Sequence, residues 1–254
     1  MRRDFVKRPV RVDQNVSLGS LAHDELLSLC RSYILQKMIH ARRQCARILL
    51  LVVILAVASV AIPPIRRPIL RAAGRALVVN DRLGPADVVV VMVDADGAGV
   101  LEAADLVYSG VATRVAVFGE SPDTMVEREF IRRGVPYENG AARSVRQLRA
   151  LGVESVDLIP TFVRGTEDEG PALADWCDQH GFRSVVVVST SDHSRRLRRV
   201  LHRAMKGHPT RVAARSSDYS AFDPDRWWLS RRGIRTEVVE LEKLLLDVAR
   251  HPFS

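Results

Sequence analysis

The sequence predicts an α/β fold, a doubly wound and mostly parallel sheet of Rossmann-like topology, preceded by one transmembrane helix. Three observations carry that expectation. Valine runs of the kind buried on both faces of a parallel sheet recur beyond Arg75. They alternate with helix-periodic stretches, most of which end at a glycine suited to a C-cap. One charge-free apolar run, Ile48–Ile65, stands ahead of them all.

The strands are expected in "ADVVVVMV" (86–93), "TRVAVFGE" (113–120), "SVDLIPTF" (155–162), "RSVVVVST" (183–190) and "RVAARSS" (211–217). Between them, "GVLEAADLVYSG", "DTMVEREFIRRG", "GAARSVRQLRALG", "DEGPALADWCDQHG" and "HSRRLRRVLHRAM" have helical spacing. In "TEVVELEKLLLDVAR" the residues Leu241, Leu244, Leu245 and Val248 recur at helical spacing and are expected to pack on the sheet; the alternatives are that this helix forms a dimer surface with Trp227 and Trp228, or that the two tryptophans rest at a membrane interface.

The 254 residues fit one sizeable domain with an extension, and an apolar share of 47% beside 27% charged residues allows a packed core. The formal net charge is +8. No zinc-finger spacing, aromatic RNA-binding pattern or basic heptad accompanies it, so nucleic acid is not the expected partner. The arginines instead bracket the apolar run: Arg42, Arg43 and Arg47 before it, Arg66, Arg67 and Arg71 after it. That placement predicts anionic membrane lipid as a partner. The greater basic charge ahead of the run puts residues 1–47, a partly helical basic segment, in the cytoplasm. Residues 48–65 then span the inner membrane, 66–84 form a linker, and 85–254 form an extracytoplasmic α/β domain. A cleaved signal peptide is disfavoured, because the run is far from the start and "IPPIRRP" lacks a small-residue cleavage site. Cys30, Cys45 and Cys177 have neither disulfide-framework nor zinc spacing, and Cys177 is expected as a small buried apolar residue.

Ligands of doubly wound sheets bind at the carboxyl ends of the strands, where the strand order reverses. The residues following each predicted strand therefore form the candidate site. They are Asp94 and Asp96 after the first strand, Gly119 after the second, "RGTEDEG" after the third, and Ser189, Thr190, Asp192 and His193 after the fourth. A helix starting near Asp192 aims its first N–H groups and Arg196 at an anion. Arg195, Arg198, Arg199 and Arg203 are expected on a solvated face, and the structural alternative for the strand end is that Ser191 or Asp192 merely caps the helix. "GTEDE" alone reads as a capping box, with Thr166 as N-cap and Glu169 at the third helical position. Asp94 and Asp96 beside glycine read as turn acids more readily than as metal ligands, and no metal is assigned.

In their order along the chain, an apolar strand after "PAD", the "GVP" turn, "GTEDE" and a strand closing in "STSDHSRR" resemble the SanA/ElyC/YdcF family of bacterial envelope proteins. Ser189, Thr190, His193 and Arg196 match its T-S-x-x-H-x-x-R element with serine and threonine exchanged. Thr166, Glu167 and Glu169 match its threonine-acid element, and Glu127 the acid of its second helix. "RWWLSRRG" with "EVVELEKLL" is similar to the tail of one branch, through Trp227, Trp228, Arg231, Glu240 and Lys243. The chain departs from the family pattern in "VDADGAGVLEAADL", which has acids where the family has a glycine-rich loop and has no arginine in the helix. The resemblance implies an anchored envelope protein.

From these residues, the expected function is to bind or process a small anionic, phosphate-bearing envelope precursor or metabolite. His193 with Glu167 or Glu169 would move the proton, and Ser189, Thr190, Arg196, Thr166, Gly119, Asp94 and Glu127 would bind the ligand. The alternative is a non-catalytic envelope-integrity factor. No cofactor and no oligomeric state is specified by the residues.

Overall fold

The computed structural model describes residues 37, 40, 44, 47–55, 62–119, 124–160, 163 and 165–253. The chain divides into two compact units, residues 1–66 and 67–254. In the first, residues 47–55 are helical and Ile48 to Leu55 are exposed. Residues 56–61 of the expected span, and nearly all of the basic segment before it, lie outside the described residues. Among the described residues, no helix is long and apolar enough to cross a membrane.

The second unit is built on five parallel strands: β1 (Val88–Val91), β2 (Arg114–Phe118), β3 (Ser155–Ile159), β4 (Ser184–Ser189) and β5 (Arg211–Ser216). Their order is β3-β2-β1-β4-β5. Each strand lies inside the valine-rich or alternating stretch that predicted it. Side chains alternate across a strand, and both sides of β1 and β4 are covered. Val88, Val90, Val185 and Val187 face one apolar cluster, and Val89, Val91, Val186 and Val188 face the other. That double burial explains four consecutive valines where a half-exposed strand would alternate.

Helices α2 (Asp96–Tyr108), α3 (Met125–Arg132), α4 (Gly140–Ala150), α5 (Thr166–His180), α6 (Ser194–Ala204) and α7 (Arg231–Arg250) follow α1 (Pro63–Leu77). On one side of the sheet, α2 and α4 contribute Val100, Ala103, Ala104 and Leu148 to the core; on the other, α5 and α6 contribute Leu173, Trp176, Leu197 and Leu201. The glycines after α2, α3, α4 and α5 adopt φ of 75°, 70°, 84° and 70°, the left-handed stop that "YSG", "RRG", "ALG" and "QHG" predict. Cys177 is fully buried as expected, and burial pushes its thiol up to about 12.

The stretch expected as a linker is different. Pro63 and Pro64 open α1, where proline's missing N–H has no intrahelical partner to lose. The helix then docks by its carboxyl half on the segment before α7. Leu77 joins Phe222 and Leu244 in a third apolar cluster, with Trp227 and Leu241 against it, and Trp227 Nε1 donates to Leu70 O at 2.8 Å. Trp227 is thereby committed to packing. Beyond Leu77 the chain runs along the open edge of β5: Asp81 N donates to Ala214 O, Asp81 Oδ2 accepts from Ala214 N, and Asn80 Oδ1 accepts from Ser216 N. The sheet edge is covered rather than bare.

Gly74 is the point of closest approach. A Cβ there would lie 2.3 Å from Pro224 O and 2.7 Å from Trp227 Cδ1, and the first of these is backbone. Gly74→Ala is expected to destabilise the domain by about 2 kcal/mol through overpacking, despite alanine's better helix propensity. Urea unfolding followed by tryptophan fluorescence checks this, and a stabilised variant would show that α1 is not seated as described.

The expected packing of α7 is also corrected. Leu244 is buried and Leu241 partly so, but Leu245 and Val248 are exposed. The buried stripe is Gly233, Glu237, Glu240, Leu244 and Asp247, which faces α6 and α1 rather than the sheet. For the same reason the arginines of α6 do not form a solvated face. Arg195 donates to Val78 O, Arg198 pairs with Asp81 at 2.9 Å, and Arg199 and Arg203 pair with Asp247 at 2.5 and 2.7 Å. Hydrogen bonds and charge from those two arginines outweigh burial and hold the Asp247 carboxyl below its ordinary range.

Candidate functional site

The strand order reverses between β1 and β4, because β1 connects outward through β2 to β3 and β4 continues to β5 on the other side. A cavity of about 420 Å³ opens at the carboxyl ends of these two strands. The β1 end supplies Asp94, the β4 end supplies Thr190, Asp192 and His193, and α5 supplies Thr166. The wall is completed by Arg196, Ser220, Ser230, Arg232, Thr236, Glu240 and Lys243.

His193 is the hub. It precedes the first residue of α6, so a helix start places its ring, and the ring is 3% exposed. Nε2 lies 3.1 Å from Thr166 Oγ1 and 3.4 Å from Asp94 Oδ2. Nδ1 lies 3.3 Å from Glu240 Oε2 and 2.9 Å from Arg196 Nη2. Nδ1 therefore lies between a donor, the Arg196 guanidinium, and an acceptor, the Glu240 carboxylate, and the ring tautomer decides which of the two it bonds.

Glu240 gathers the cations. Its Oε2 is 3.4 Å from Arg196 Nη2 and its Oε1 is 2.6 Å from Lys243 Nζ. Burial opposes its ionisation, but hydrogen bonds from His193 and Lys243 and the charge of Arg196 outweigh burial and bring it down to about 2. Arg232 makes no ion pair among the described residues.

The remaining acids are pushed the other way. Burial raises Asp94, opposed by His193, and Glu240 raises it further. Burial likewise raises Asp192, with Glu240 adding to it. Glu169 is 2% exposed and accepts from Val93 N at 3.1 Å; burial, then the neighbouring Asp94, lift it to about 6. Two carboxyls brought together at the end of β1 thus compete for one negative charge. Among the described residues, no three His, Cys, Asp or Glu side chains are grouped to hold a metal ion.

Of the residues singled out from the sequence, His193, Arg196, Thr190, Thr166 and Asp94 meet in this cavity. Glu169 stands directly behind Asp94. Others are placed elsewhere. Glu167 points away and lies 3.5 Å from Arg203, so it is not the acid beside His193. Ser189 is buried beneath the cavity with its hydroxyl donated to Thr190 O. Gly119 borders a separate cavity of about 570 Å³ between β3 and α4. Glu127 sits in the first turn of α3, its backbone N–H donated to Thr124 Oγ1. Asp96 lies outside the His193 cavity with a left-handed φ of 44°.

The capping box does not form. Gly165 is the N-cap of α5 and Thr166 its first residue, so the threonine hydroxyl is released from the helix and given to His193. No side chain caps α6 either, and neither Ser191 nor Asp192 takes that place. The residues not marked as site residues beforehand are Ser220, Ser230, Arg232, Thr236, Glu240 and Lys243, four of them on α7.

No known family profile matches the chain, and no curated protein does. Among solved structures, the chain is similar to a universal stress protein in complex with cAMP, at 15% identity and a TM-score of 0.31, over 54% of this chain and 100% of that one. It is also similar to an aureusimine biosynthetic cluster reductase domain, at 11% identity and a TM-score of 0.27, over 57% of this chain and 54% of that one.

Proposed function

We propose that the chain is an envelope protein of the SanA/ElyC/YdcF kind, anchored through residues 48–65, whose cavity holds the anionic, phosphate-bearing part of an envelope precursor or metabolite while His193 moves a proton. One observation carries this reading: three helix N-termini converge on one cavity that also holds three cations. Thr166 opens α5, His193 precedes α6, and Ser230, Arg232 and Gly233 form the start of α7. First-turn N–H groups and the helix dipoles favour an anion at each of these ends, and α5 and α6 keep theirs uncapped by side chains. Arg196, Arg232 and Lys243 supply the counter-charge. An anion arriving beside Asp94 and Asp192, both already held above their ordinary range, raises them further.

Thermal unfolding of the full chain in detergent, with inorganic phosphate, diphosphate and sulfate, tests the reading. A ligand at about 100 times its dissociation constant adds roughly 2.7 kcal/mol of stability. Phosphate or diphosphate is expected to stabilise the wild type, and Arg232→Ala, which breaks no ion pair among the described residues, to weaken that response at unchanged basal stability. No stabilisation by any phosphate compound would refute the binding reading. Phosphate binding with no proton-transfer defect in His193→Ala would leave the non-catalytic factor as the function.

A further inference from the structure

The contacts of His193 form a chain of three groups. A hydroxyl, Thr166 Oγ1, lies 3.1 Å from Nε2, and a carboxylate, Glu240 Oε2, lies 3.3 Å from Nδ1. The imidazole between them is almost wholly buried, and all three residues line the same cavity. A hydroxyl on one ring nitrogen and an acid on the other is the arrangement that turns an alcohol into a nucleophile. Thr166 is suited to the first position because its hydroxyl caps nothing and stands at the positive end of α5, which favours an alkoxide. We infer that Thr166 is a nucleophile, His193 its base and Glu240 the positioning acid, and that the substrate is a phosphoester whose phosphoryl group rests between Thr166 and the cations Arg196 and Arg232. The inference rests on the anion-binding reading above and assigns the reaction to that site.

The step balances within these residues. Thr166 Oγ1 attacks phosphorus, its proton passes to His193 Nε2, the bond from phosphorus to the ester oxygen breaks, and Nε2 returns the proton to that leaving oxygen. Water then attacks the phosphothreonine with Nε2 as base, the P–Oγ1 bond breaks, and the proton goes back to Thr166. The products are an alcohol and inorganic phosphate.

Arg196 sets when this happens. While Nη2 donates to Nδ1 at 2.9 Å, the ring proton is on Nε2 and His193 cannot act as base. A phosphoryl group that draws Arg196 onto itself frees Nδ1; the ring then releases its Nε2 proton to water and takes one from water at Nδ1, that N–H donates to the Glu240 carboxylate, and the Nε2 lone pair turns to Thr166. The base is formed by the ligand that needs it.

The experiment uses the full chain in detergent with para-nitrophenyl phosphate as substrate and inorganic phosphate as a binding probe. Wild type, Thr166→Ser, Thr166→Val and Glu240→Gln are compared by nitrophenolate release and by intact mass after acid quench. Wild type and Thr166→Ser are expected to release nitrophenolate and to show a phosphoryl mass increment on residue 166. Thr166→Val is expected to lose on the order of 10³-fold or more in turnover and to show no increment while still binding inorganic phosphate. Glu240→Gln is expected to lower turnover about 10²- to 10⁴-fold. Nitrogen NMR of His193 with phosphate bound should report an Nδ1–H tautomer in wild type and not in Glu240→Gln, a readout that a purely structural Glu240 would leave unchanged. Wild type that binds phosphate but gives neither turnover nor adduct overturns the nucleophile and leaves the binding reading standing. Turnover undiminished in Thr166→Val does the same. Wild type that binds no phosphate removes both.

Discussion

Glu240→Ala is expected to destabilise the domain by about 3–5 kcal/mol near neutral pH, and the difference from wild type is expected to close in acid. The carboxylate is the common partner of Arg196, Lys243 and His193, with a side chain only 11% exposed. Removing one member of a buried charge cluster leaves the others desolvated and unpaired, which costs more than the pair contributed net. The pH dependence follows from the direction of its shift. The folded-state value, about 2, lies below the 4.5 of an ordinary glutamate. Its stabilisation is therefore present above about pH 4.5 and is lost as pH falls toward 2. A depression of this size corresponds to about 3 kcal/mol. Urea unfolding of both proteins at pH 7, 5 and 3 decides the matter. An equal deficit at all three pH values would mean that the variant loses packing rather than charge.

The sheet was legible because its signal is local. Val88 to Val91, Val115 to Phe118 and Val185 to Val188 are buried on both faces, as the three interior strands of a covered parallel sheet require. The left-handed glycines ended the helices where they were expected to end. The seating of α1 was not legible, because what holds it is one glycine, Gly74, against a carbonyl more than a hundred residues away. Its two prolines at the start, read as the end of an apolar run, are equally at home in a first helical turn.

The site was half legible. Position after a strand marked Asp94, Thr190 and His193, since parallel sheets with this order place ligands there. The other half comes from α7, where the apolar residues at helical spacing are Leu241, Leu244, Leu245 and Val248. The stripe that is buried runs one position earlier, through Glu237, Glu240, Leu244 and Asp247, and three of its four side chains are acids. A hydrophobicity pattern cannot find such a face. A charge pattern can: Arg196, Arg199 and Arg203 on α6 recur at the same helical spacing and carry the opposite sign. Two buried helical stripes of opposite charge are a packing signal in their own right. The same logic explains why Thr166, read as an N-cap, became available: Gly165 starts α5 one residue earlier, and His193 takes the hydroxyl.

One turn before Glu240, the same stripe carries an acid with the opposite behaviour, and Glu237→Gln is expected to stabilise the domain by up to about 3 kcal/mol above pH 8 while changing little at pH 4. Glu237 is 2% exposed, and neither of its carboxyl oxygens has a hydrogen-bond partner among the described residues. Burial, then the nearby Asp192, lifts it to about 7 from an ordinary 4.5. The folded protein therefore holds this proton more tightly than the unfolded chain does. Stability falls as pH rises from about 4.5 through 7, and the loss is complete above that. A shift of this size is worth about 3 kcal/mol. Glutamine keeps the shape and abolishes the charge, so the variant has no such slope. Below pH 4.5 the two proteins are both neutral at this position and differ only in how an unpaired amide compares with an unpaired carboxylic acid. Unfolding free energies measured from pH 4 to pH 9 should separate steadily between pH 5 and 8, with the variant above the wild type. Parallel curves would mean that Glu237 finds a cationic partner in solution, and its place on the buried stripe would then be an ion pair like those of Glu240 and Asp247.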